Sequence, residues 1–103
     1  MSSNDDSNLP DYVYIRDVLD LHGTPYGVIP ELLDDFIGNA IELGYSRVRI
    51  IHGKGRSRLK HYTHQQLDRH KKVYRYYDAP PALGGWGATI AELIEASGEG
   101  ENH

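Results

Sequence analysis

Hydrophobic and polar positions follow different spacings along the chain, and each spacing predicts one element. Residues 12–21 are rich in β-branched and aromatic side chains and predict a strand, whereas residues 28–43 carry apolar side chains at helical spacing and predict a helix. Gly44 ends this helix. Pro25 and Pro30 restrict its start, because proline is tolerated only in the first turn of a helix.

The second half of the chain predicts a strand, a helix and two further strands. The helix begins at Ser57, a residue type that caps helix N-termini well, and turns Leu59, Tyr62 and Leu67 inward. Proline and glycine mark a loop at 78–87 between the last two strands. The four predicted segments are 47–51, 57–70, 72–77 and 88–93.

The predicted order βαβαββ indicates how the layers are arranged. Strands joined through helices are expected to be parallel. Parallel strands covered on both faces are continuous apolar runs, but residues 15–22 and 47–52 alternate apolar with charged side chains, so one sheet face is expected to be open. We therefore predict an α/β (α+β) two-layer sandwich in which two helices pack on one face of a four-stranded mixed sheet.

Composition predicts one domain with a tail at each end. The 103 residues, 39% hydrophobic and 25% charged, suit one small domain at 12–94 and leave no room for a second. Residues 1–11 and 95–103 are polar and predict disordered tails. The chain has no cysteine, and no apolar run reaches the roughly 18 residues of a membrane span. A soluble, cytoplasmic protein without disulfides or thiolate metal sites is expected.

The net charge of −4 conceals an uneven distribution. Segment 47–75 holds ten of the 11 Lys and Arg residues and one of the 15 acids, so it carries +9 while the remainder carries −13. A block this basic predicts a binding surface for the phosphates of DNA or RNA. The alternative is a solvated helix face, which is less favoured because such faces usually interleave both signs.

The first predicted strand ends in LDLHG, which places an acid two positions before a histidine. Leu19 and Leu21 point to one face of the strand, and Asp20 and His22 point to the other, at the strand end where α/β sheets place ligands. An aspartate can orient an imidazole and fix its tautomer for acid–base catalysis. In the structural alternative, Asp20 binds backbone groups of the turn and His22 only ends the strand.

The second strand runs into HGKGRSR at His52. Glycines let the backbone approach an anion here, and the first N–H groups of the following helix point toward it. The stretch matches neither GxxxxGK[ST] nor GxGxxG, so it suits a backbone phosphate better than a mononucleotide. A glycine-eased turn is the alternative, but it leaves the cations unexplained. The predicted nucleic-acid-binding residues here are Gly53, Lys54, Gly55, Arg56, Arg58 and Lys60.

These two motifs are expected to meet. The C-terminal ends of neighbouring parallel strands lie at one sheet edge, about 4.8 Å apart, so His22 and His52 can end close together. A third glycine-rich stretch, GGWGAT, enters the last strand. Its glycines are expected to permit close backbone approach, and Trp86 to offer a stacking surface for an unpaired base, so Gly85 and Trp86 are further predicted nucleic-acid-binding residues. A turn with a core tryptophan is an equally open alternative.

In this order, LDLHG, VRIIHGKG and GGWGAT resemble the Smr (small MutS-related) domain family over residues 17–93. The resemblance implies a sandwich similar to the C-terminal domain of translation initiation factor three and to part of the pancreatic DNase fold. It also implies nucleic-acid binding and, as in several members, nicking of DNA or RNA. Many members are fused to a mismatch-repair-like ATPase, whereas this chain resembles a small stand-alone member. The activity-associated motifs carry over to Asp20, His22, His52, Gly53, Lys54 and Gly55.

The favoured hypothesis is an endonuclease, a phosphodiester hydrolase. His22 with Asp20 would be the base, Lys54 would stabilise the phosphorane, and His52 would protonate the leaving oxygen. An attacking RNA 2′-hydroxyl needs no metal, whereas attacking water favours Mg²⁺ or Mn²⁺ held by Asp20. A metal on the His61 and His64 pair is less favoured because no third ligand is defined.

The alternative is a binding module without turnover, such as an adaptor for branched DNA or ribosomal RNA within a ribosome or repair complex. A third and weaker hypothesis is a protein-interaction domain that uses the acidic part of the chain. The sequence leaves DNA versus RNA, the substrate's shape and the oligomeric state open.

Overall fold

The computed structural model describes residues 17–55 and 57–94, and within them the element order is βαβαββ, as predicted. The predicted tails, residues 12–16 of the first predicted strand and the phosphate-ligand candidate Arg56 lie outside the described residues. The strands are β1 (Val18–Asp20), β2 (Arg47–Ile51), β3 (Val73–Asp78) and β4 (Ala88–Leu93), and the helices are α1 (Ile29–Glu42) and α2 (Ser57–Arg69).

Both helices begin within one residue of the predicted starts. Helix α1 has Pro30 in its first turn, and it ends before Gly44, whose φ of +90° few other residues tolerate. Helix α2 begins at Ser57 and buries Leu67. No helix in the described part of the chain is long and apolar enough to cross a membrane.

The sheet has the strand order β1-β2-β4-β3. Strands β1 and β2 are parallel, and β4 runs antiparallel to both β2 and β3. The strands that α2 connects, β2 and β3, therefore share a direction, as predicted, but β4 lies between them. All six residues of β4 are buried, which makes this strand the centre of the fold.

Both helices pack against the same face of the sheet, as predicted. Their buried side chains form one apolar cluster with Leu21, Val48, Ile50 and Ala91 of the sheet side. The opposite face is not bare, because Ile51, Ala79, Ala88 and Ile90 form a smaller cluster there. A short 3₁₀ turn at Pro81–Leu83 lies beside this face, where Arg49 Nη1 donates a hydrogen bond to the carbonyl of Leu83 at 3.0 Å.

A bulge between Val73 and Arg75 gathers side chains around Glu92. The Glu92 carboxylate accepts hydrogen bonds from the hydroxyls of Tyr77 at 2.6 Å and Tyr74 at 2.7 Å, and from Arg75 Nε at 2.8 Å. The Arg75 guanidinium and the two hydroxyls lower the pKa of Glu92 from 4.5 to about 2. Glu92 is therefore ionised in the folded protein near neutral pH.

Candidate nucleic-acid site

The LDLHG and HGKG motifs meet at one edge of the sheet, as predicted. Asp20 is paired in register with Ile51, and the N–H of Leu21 donates to the carbonyl of Ile51 at 2.8 Å. The chain therefore leaves both strands side by side. Cδ2 of His22 lies 3.8 Å from the point that a Cβ on Gly53 would occupy, so the His22 ring packs beside the HGKG turn.

A cavity of about 720 Å³ opens at this edge, within the size range of small-molecule sites. One wall is formed by residues 22–26, which follow β1, and the other by residues 52–55 and the start of α2. Neither wall contributes a described acidic side chain. The lining includes His22, Tyr26, His52, Gly53, Lys54, Gly55 and Arg58.

The GGWG stretch packs on the HGKG turn. The N–H groups of His52 and Gly53 both donate to the carbonyl of Gly87, at 3.0 and 2.8 Å. A Cβ on Gly87 would lie only 2.7 Å from Cγ of Lys54, so a larger residue here would displace the Lys54 side chain. Trp86, one residue earlier, is 50% exposed, and Lys54 Nζ is 6.0 Å from its ring centroid.

Two cations of the turn face the cavity and one candidate is already paired. Lys54 and Arg58 are exposed and line the cavity. Lys60 Nζ lies 2.9 Å from Asp78, and its side chain is only 21% exposed. Its hydrogen bond lowers the pKa of Asp78, so the two charges largely neutralise each other.

Asp20 contacts the backbone of the turn. Its Oδ1 accepts a hydrogen bond from the backbone N–H of His22 at 2.9 Å. Within 17–55 and 57–94, no hydrogen bond joins this carboxylate to the His22 ring, so the contact matches the structural alternative and not the expected Asp–imidazole pair. Asp20 thereby fixes the path of the chain after β1, and the exposed His22 ring is left without a carboxylate partner in this part of the structure.

The ring of His52 is buried under the turn and belongs to a hydrogen-bonded chain. His52 is 3% exposed, and its Nε2 lies 2.8 Å from the hydroxyl of Thr89 in β4. Nε2 of His64 in α2 lies 2.8 Å from the same hydroxyl. Because a hydroxyl carries one proton, it donates to one ring and accepts from the other.

The carbonyl of Gly53 favours one arrangement of these protons. It lies 3.4 Å from Nδ1 of His52, which suits an N–H at that nitrogen. Nε2 of His52 then accepts the Thr89 hydroxyl proton, and His64 donates its Nε2–H to the Thr89 oxygen. Burial lowers the pKa of both rings, and the neighbouring His52 lowers that of His64 further, so both rings are neutral near pH 7.

The metal hypotheses find limited support from the side chains. The described residues contain no group of three His, Cys, Asp or Glu placed to hold a metal ion. His61 is exposed, while His64 is bound to Thr89. A Mg²⁺ or Mn²⁺ ion on Asp20 would need its other ligands from substrate phosphate and water, which is a common arrangement for Mg²⁺.

Sequence reasoning missed three residues of this site. Thr89 and Gly87 contact residues of the HGKG turn. Threonine and glycine are common at the start of a strand, however, so their residue types gave no signal. Tyr26 lines the cavity, but it lies in a short 3₁₀ turn that has no periodic signal. The one usable clue was the third glycine of GGWG, which follows an aromatic residue and precedes a strand.

Comparison with known proteins assigns the fold and these motifs to one family. The sequence model of the Smr domain matches residues 19–94 of this chain. The chain belongs to the Smr domain family. The LDLHG, HGKG and GGWG stretches all lie within the part of the chain that matches the Smr domain.

Relatives of this Smr domain include the protein named endonuclease MutS2. The sequence from Staphylococcus epidermidis is 39% identical over 79 residues, which cover 77% of this chain and 10% of that protein. The sequence from Staphylococcus carnosus is 40% identical over 75 residues, which cover 73% of this chain and 10% of that protein. The chain thus spans about a tenth of the length of these MutS2 relatives.

Two crystal structures resemble this Smr domain closely. The Smr domain of Thermus thermophilus MutS2 has a TM-score of 0.71 and 35% identity, and the match covers 76% of this chain and 98% of that one. YdaL, a stand-alone small MutS-related protein from Escherichia coli, has a TM-score of 0.72 and 26% identity, covering 92% of this chain and 80% of that one. The four-stranded mixed sheet with two helices is thus the Smr fold.

Proposed function

We propose that this Smr domain binds DNA or RNA and nicks its phosphodiester backbone at the cavity between LDLHG and HGKG. The observation that carries the proposal is that an exposed imidazole, His22, and two exposed cations, Lys54 and Arg58, line one cavity. The endonuclease name of the MutS2 relatives supports the same reaction class.

In the proposed reaction His22 is the general base. Its exposed ring takes a proton from an attacking RNA 2′-hydroxyl or water. Lys54 and Arg58, with the backbone N–H groups of the turn that follow Gly53, stabilise the negative charge that develops on the phosphorane. The leaving oxygen takes its proton from the Lys54 ammonium or from solvent.

We propose that His52 positions the turn and does not transfer the proton. Its ring is buried, and both of its nitrogens face protein partners, Thr89 and the carbonyl of Gly53. Its lowered pKa disfavours the charged form that a proton donor needs. Asp20 has a similar positioning role through the backbone of His22, and a Mg²⁺ or Mn²⁺ on Asp20 remains the proposed metal site.

Binding is proposed to depend mainly on the cations of segment 47–75, with Trp86 as a stacking surface beside Lys54. We further propose that residues 12–94 form the domain. We also propose that it acts in the cytoplasm, because a chain without cysteine is compatible with a reducing compartment. Association with a ribosome or a repair complex belongs to the same proposal.

A binding module without turnover is the second candidate. It is favoured by the contact of Asp20, which bonds the backbone N–H of His22 and leaves the ring without an orienting carboxylate among the described residues. A general base usually contributes about 10²–10⁴-fold, so a poorly oriented imidazole would leave binding intact and cleavage negligible.

Labelled single-stranded, duplex and branched DNA and single-stranded RNA, incubated with the purified protein with Mg²⁺, Mn²⁺ or EDTA, test the proposal. We expect His22→Ala to keep affinity within a few-fold and to lose about 10²-fold or more in cleavage rate. His61→Ala, an exposed histidine of α2 outside the cavity, is the matched control and should cleave normally.

Each outcome decides one part of the proposal. Equal cleavage by wild type and His22→Ala after identical purification would remove His22 from the reaction. Tight binding without cleavage of any substrate under any metal condition would establish the binding module. Cleavage that survives EDTA would exclude the metal on Asp20.

A further inference from the structure

Tyr26 forms part of the same cavity as the cations and is held by a second tyrosine. Its ring stacks on that of Tyr62, with centroids 4.8 Å apart and an angle of 28° between the planes. The Tyr62 hydroxyl donates a hydrogen bond to the carbonyl of Tyr26 at 3.4 Å. Tyr62 itself packs against the core, so the Tyr26 ring, 38% exposed, rests on a fixed support.

The lining of the cavity changes character from one wall to the other. Lys54 and Arg58 make the wall of the HGKG turn and α2 cationic. Pro25 and Tyr26 add apolar and aromatic side chains to the opposite wall, beside His22. A ligand that matches both walls carries an anion on one side and a flat, weakly polar group on the other. A nucleotide has this combination, because its phosphate and its base are joined through one sugar.

We propose that Tyr26 is a stacking platform for an unpaired nucleobase whose adjacent phosphate lies on the HGKG turn. Tyr62 covers one face of the Tyr26 ring and Tyr26 lines the cavity, so a base would stack on the face that Tyr62 leaves free. Bases inside a duplex are covered on both faces by their neighbours and cannot stack on a side chain without leaving the helix. The platform therefore selects single strands, flaps or loops over continuous duplex.

This inference rests on the proposed function, but it assigns a specificity that the cations cannot provide. Phosphate contacts are available on single and double strands alike, whereas base–aromatic stacking is available only where a base is free. Tyr26 is also distinct from Trp86, because Trp86 does not line this cavity.

Fluorescence anisotropy in EDTA, with a short labelled DNA strand, its duplex and the same strand carrying abasic sites, tests the platform. We expect Tyr26→Leu to weaken binding of the intact strand about tenfold, in the usual range for one base–aromatic stack, and to leave duplex binding unchanged. Tyr26→Phe keeps the ring and should bind like wild type. Tyr74→Leu, an exposed tyrosine outside the cavity, is the matched control.

The strand that carries abasic sites gives a second test of the inference. Wild type should bind it more weakly than the intact strand, and Tyr26→Leu and wild type should bind it equally, because no base is left to stack on the Tyr26 ring. An equal loss on strand and duplex, or an unchanged preference for single strand in a Tyr26→Leu protein that unfolds at the wild-type temperature, would overturn the platform.

Arg58→Ala separates this inference from the proposed function. Weaker binding of strand and duplex by Arg58→Ala, together with no effect of Tyr26→Leu, overturns the platform and leaves the proposed function standing. Wild-type protein that binds neither probe overturns both.

Discussion

The imidazole of His52 and the hydroxyl of Thr89 are hydrogen-bonded at 2.8 Å, and both side chains are almost fully buried. His52 directly follows β2 and begins the HGKG turn, while Thr89 lies in the central strand β4. Because His64 of α2 binds the same hydroxyl, one buried group connects the turn, the sheet and the basic helix. The position of the HGKG turn therefore depends on the core.

Replacing Thr89 with valine should destabilise the protein. Thr89→Val keeps the volume of the side chain but leaves the Nε2 atoms of His52 and His64 without their shared partner. The expected loss in the free energy of unfolding is about 1–3 kcal/mol, measured by urea denaturation, because unpaired buried polar groups remain. Thr89→Ser retains the hydroxyl and should lose clearly less. A Thr89→Val protein as stable as wild type would mean that the hydroxyl does not hold the two rings.

Stability should fall as the pH falls below 6.5. Burial lowers the pKa of His52 and His64 in the folded protein relative to 6.5, so below that pH the unfolded chain binds protons that the folded protein resists. The folded protein therefore loses stability as the pH falls from 6.5 to the lowered pKa values of the two rings, and these rings cause no loss of stability above pH 6.5. Thermal unfolding across this range should show a shallower dependence for His64→Gln. His61→Gln, at an exposed position, should keep the wild-type slope.

A separate loss of stability should occur in more acidic solution. The pKa of Glu92 is about 2 in the folded protein and 4.5 as its ordinary value, so its stabilising contribution is complete above pH 4.5 and is lost as the pH falls toward 2. In Glu92→Gln the unfolding temperature should depend less steeply on pH than in wild type, and only in this acid range. Glu42→Gln, at an exposed position, is the control. If the unfolding temperature of Glu92→Gln depends on pH as steeply as that of wild type in this range, the hydrogen bonds around Glu92 do not stabilise the protein in this way.

Adding one methyl group at Gly87 should impair nucleic-acid binding. The Cβ of Gly87→Ala would meet Lys54 Cγ at 2.7 Å and force that side chain away from its place beside Trp86. We expect a several-fold loss of affinity by anisotropy. Gly38→Ala has open space and lies inside α1, so it should bind normally and gain about 0.5–1 kcal/mol of stability. Wild-type affinity in Gly87→Ala would show that Lys54 need not occupy this position.

The salt dependence of binding should distinguish cations that face the cavity from those already paired. Arg58→Ala should reduce the log–log slope of affinity against salt by about 0.7–0.9, the value of one phosphate contact. Lys60→Ala should change the slope less, because Lys60 is engaged with Asp78 at 2.9 Å. Anisotropy titrations over a range of salt concentrations measure both. An equal reduction in the two variants would restore Lys60 as a phosphate ligand, as the sequence predicts.

The sequence alone determined the order of the elements and the face of β1 to which its leucines point. Pro30 and Gly44 delimit α1 through their own backbone restrictions, which act within one turn of the chain. Leu19 and Leu21 face the core because alternation along a strand follows from its geometry. Even the meeting of LDLHG with HGKG was predictable, since parallel strands joined through a helix end at one edge.

Only the tertiary structure decided which partners these side chains have. The insertion of β4 between β2 and β3 brings Thr89 beneath His52 and Gly87 against Lys54, although more than thirty positions separate each pair along the chain. In the same way Asp20 binds a backbone N–H and Lys60 binds Asp78. Strand order and side-chain pairing depend on packing between segments that are distant along the chain. The local spacing of residues does not indicate which distant segment will pack beside them.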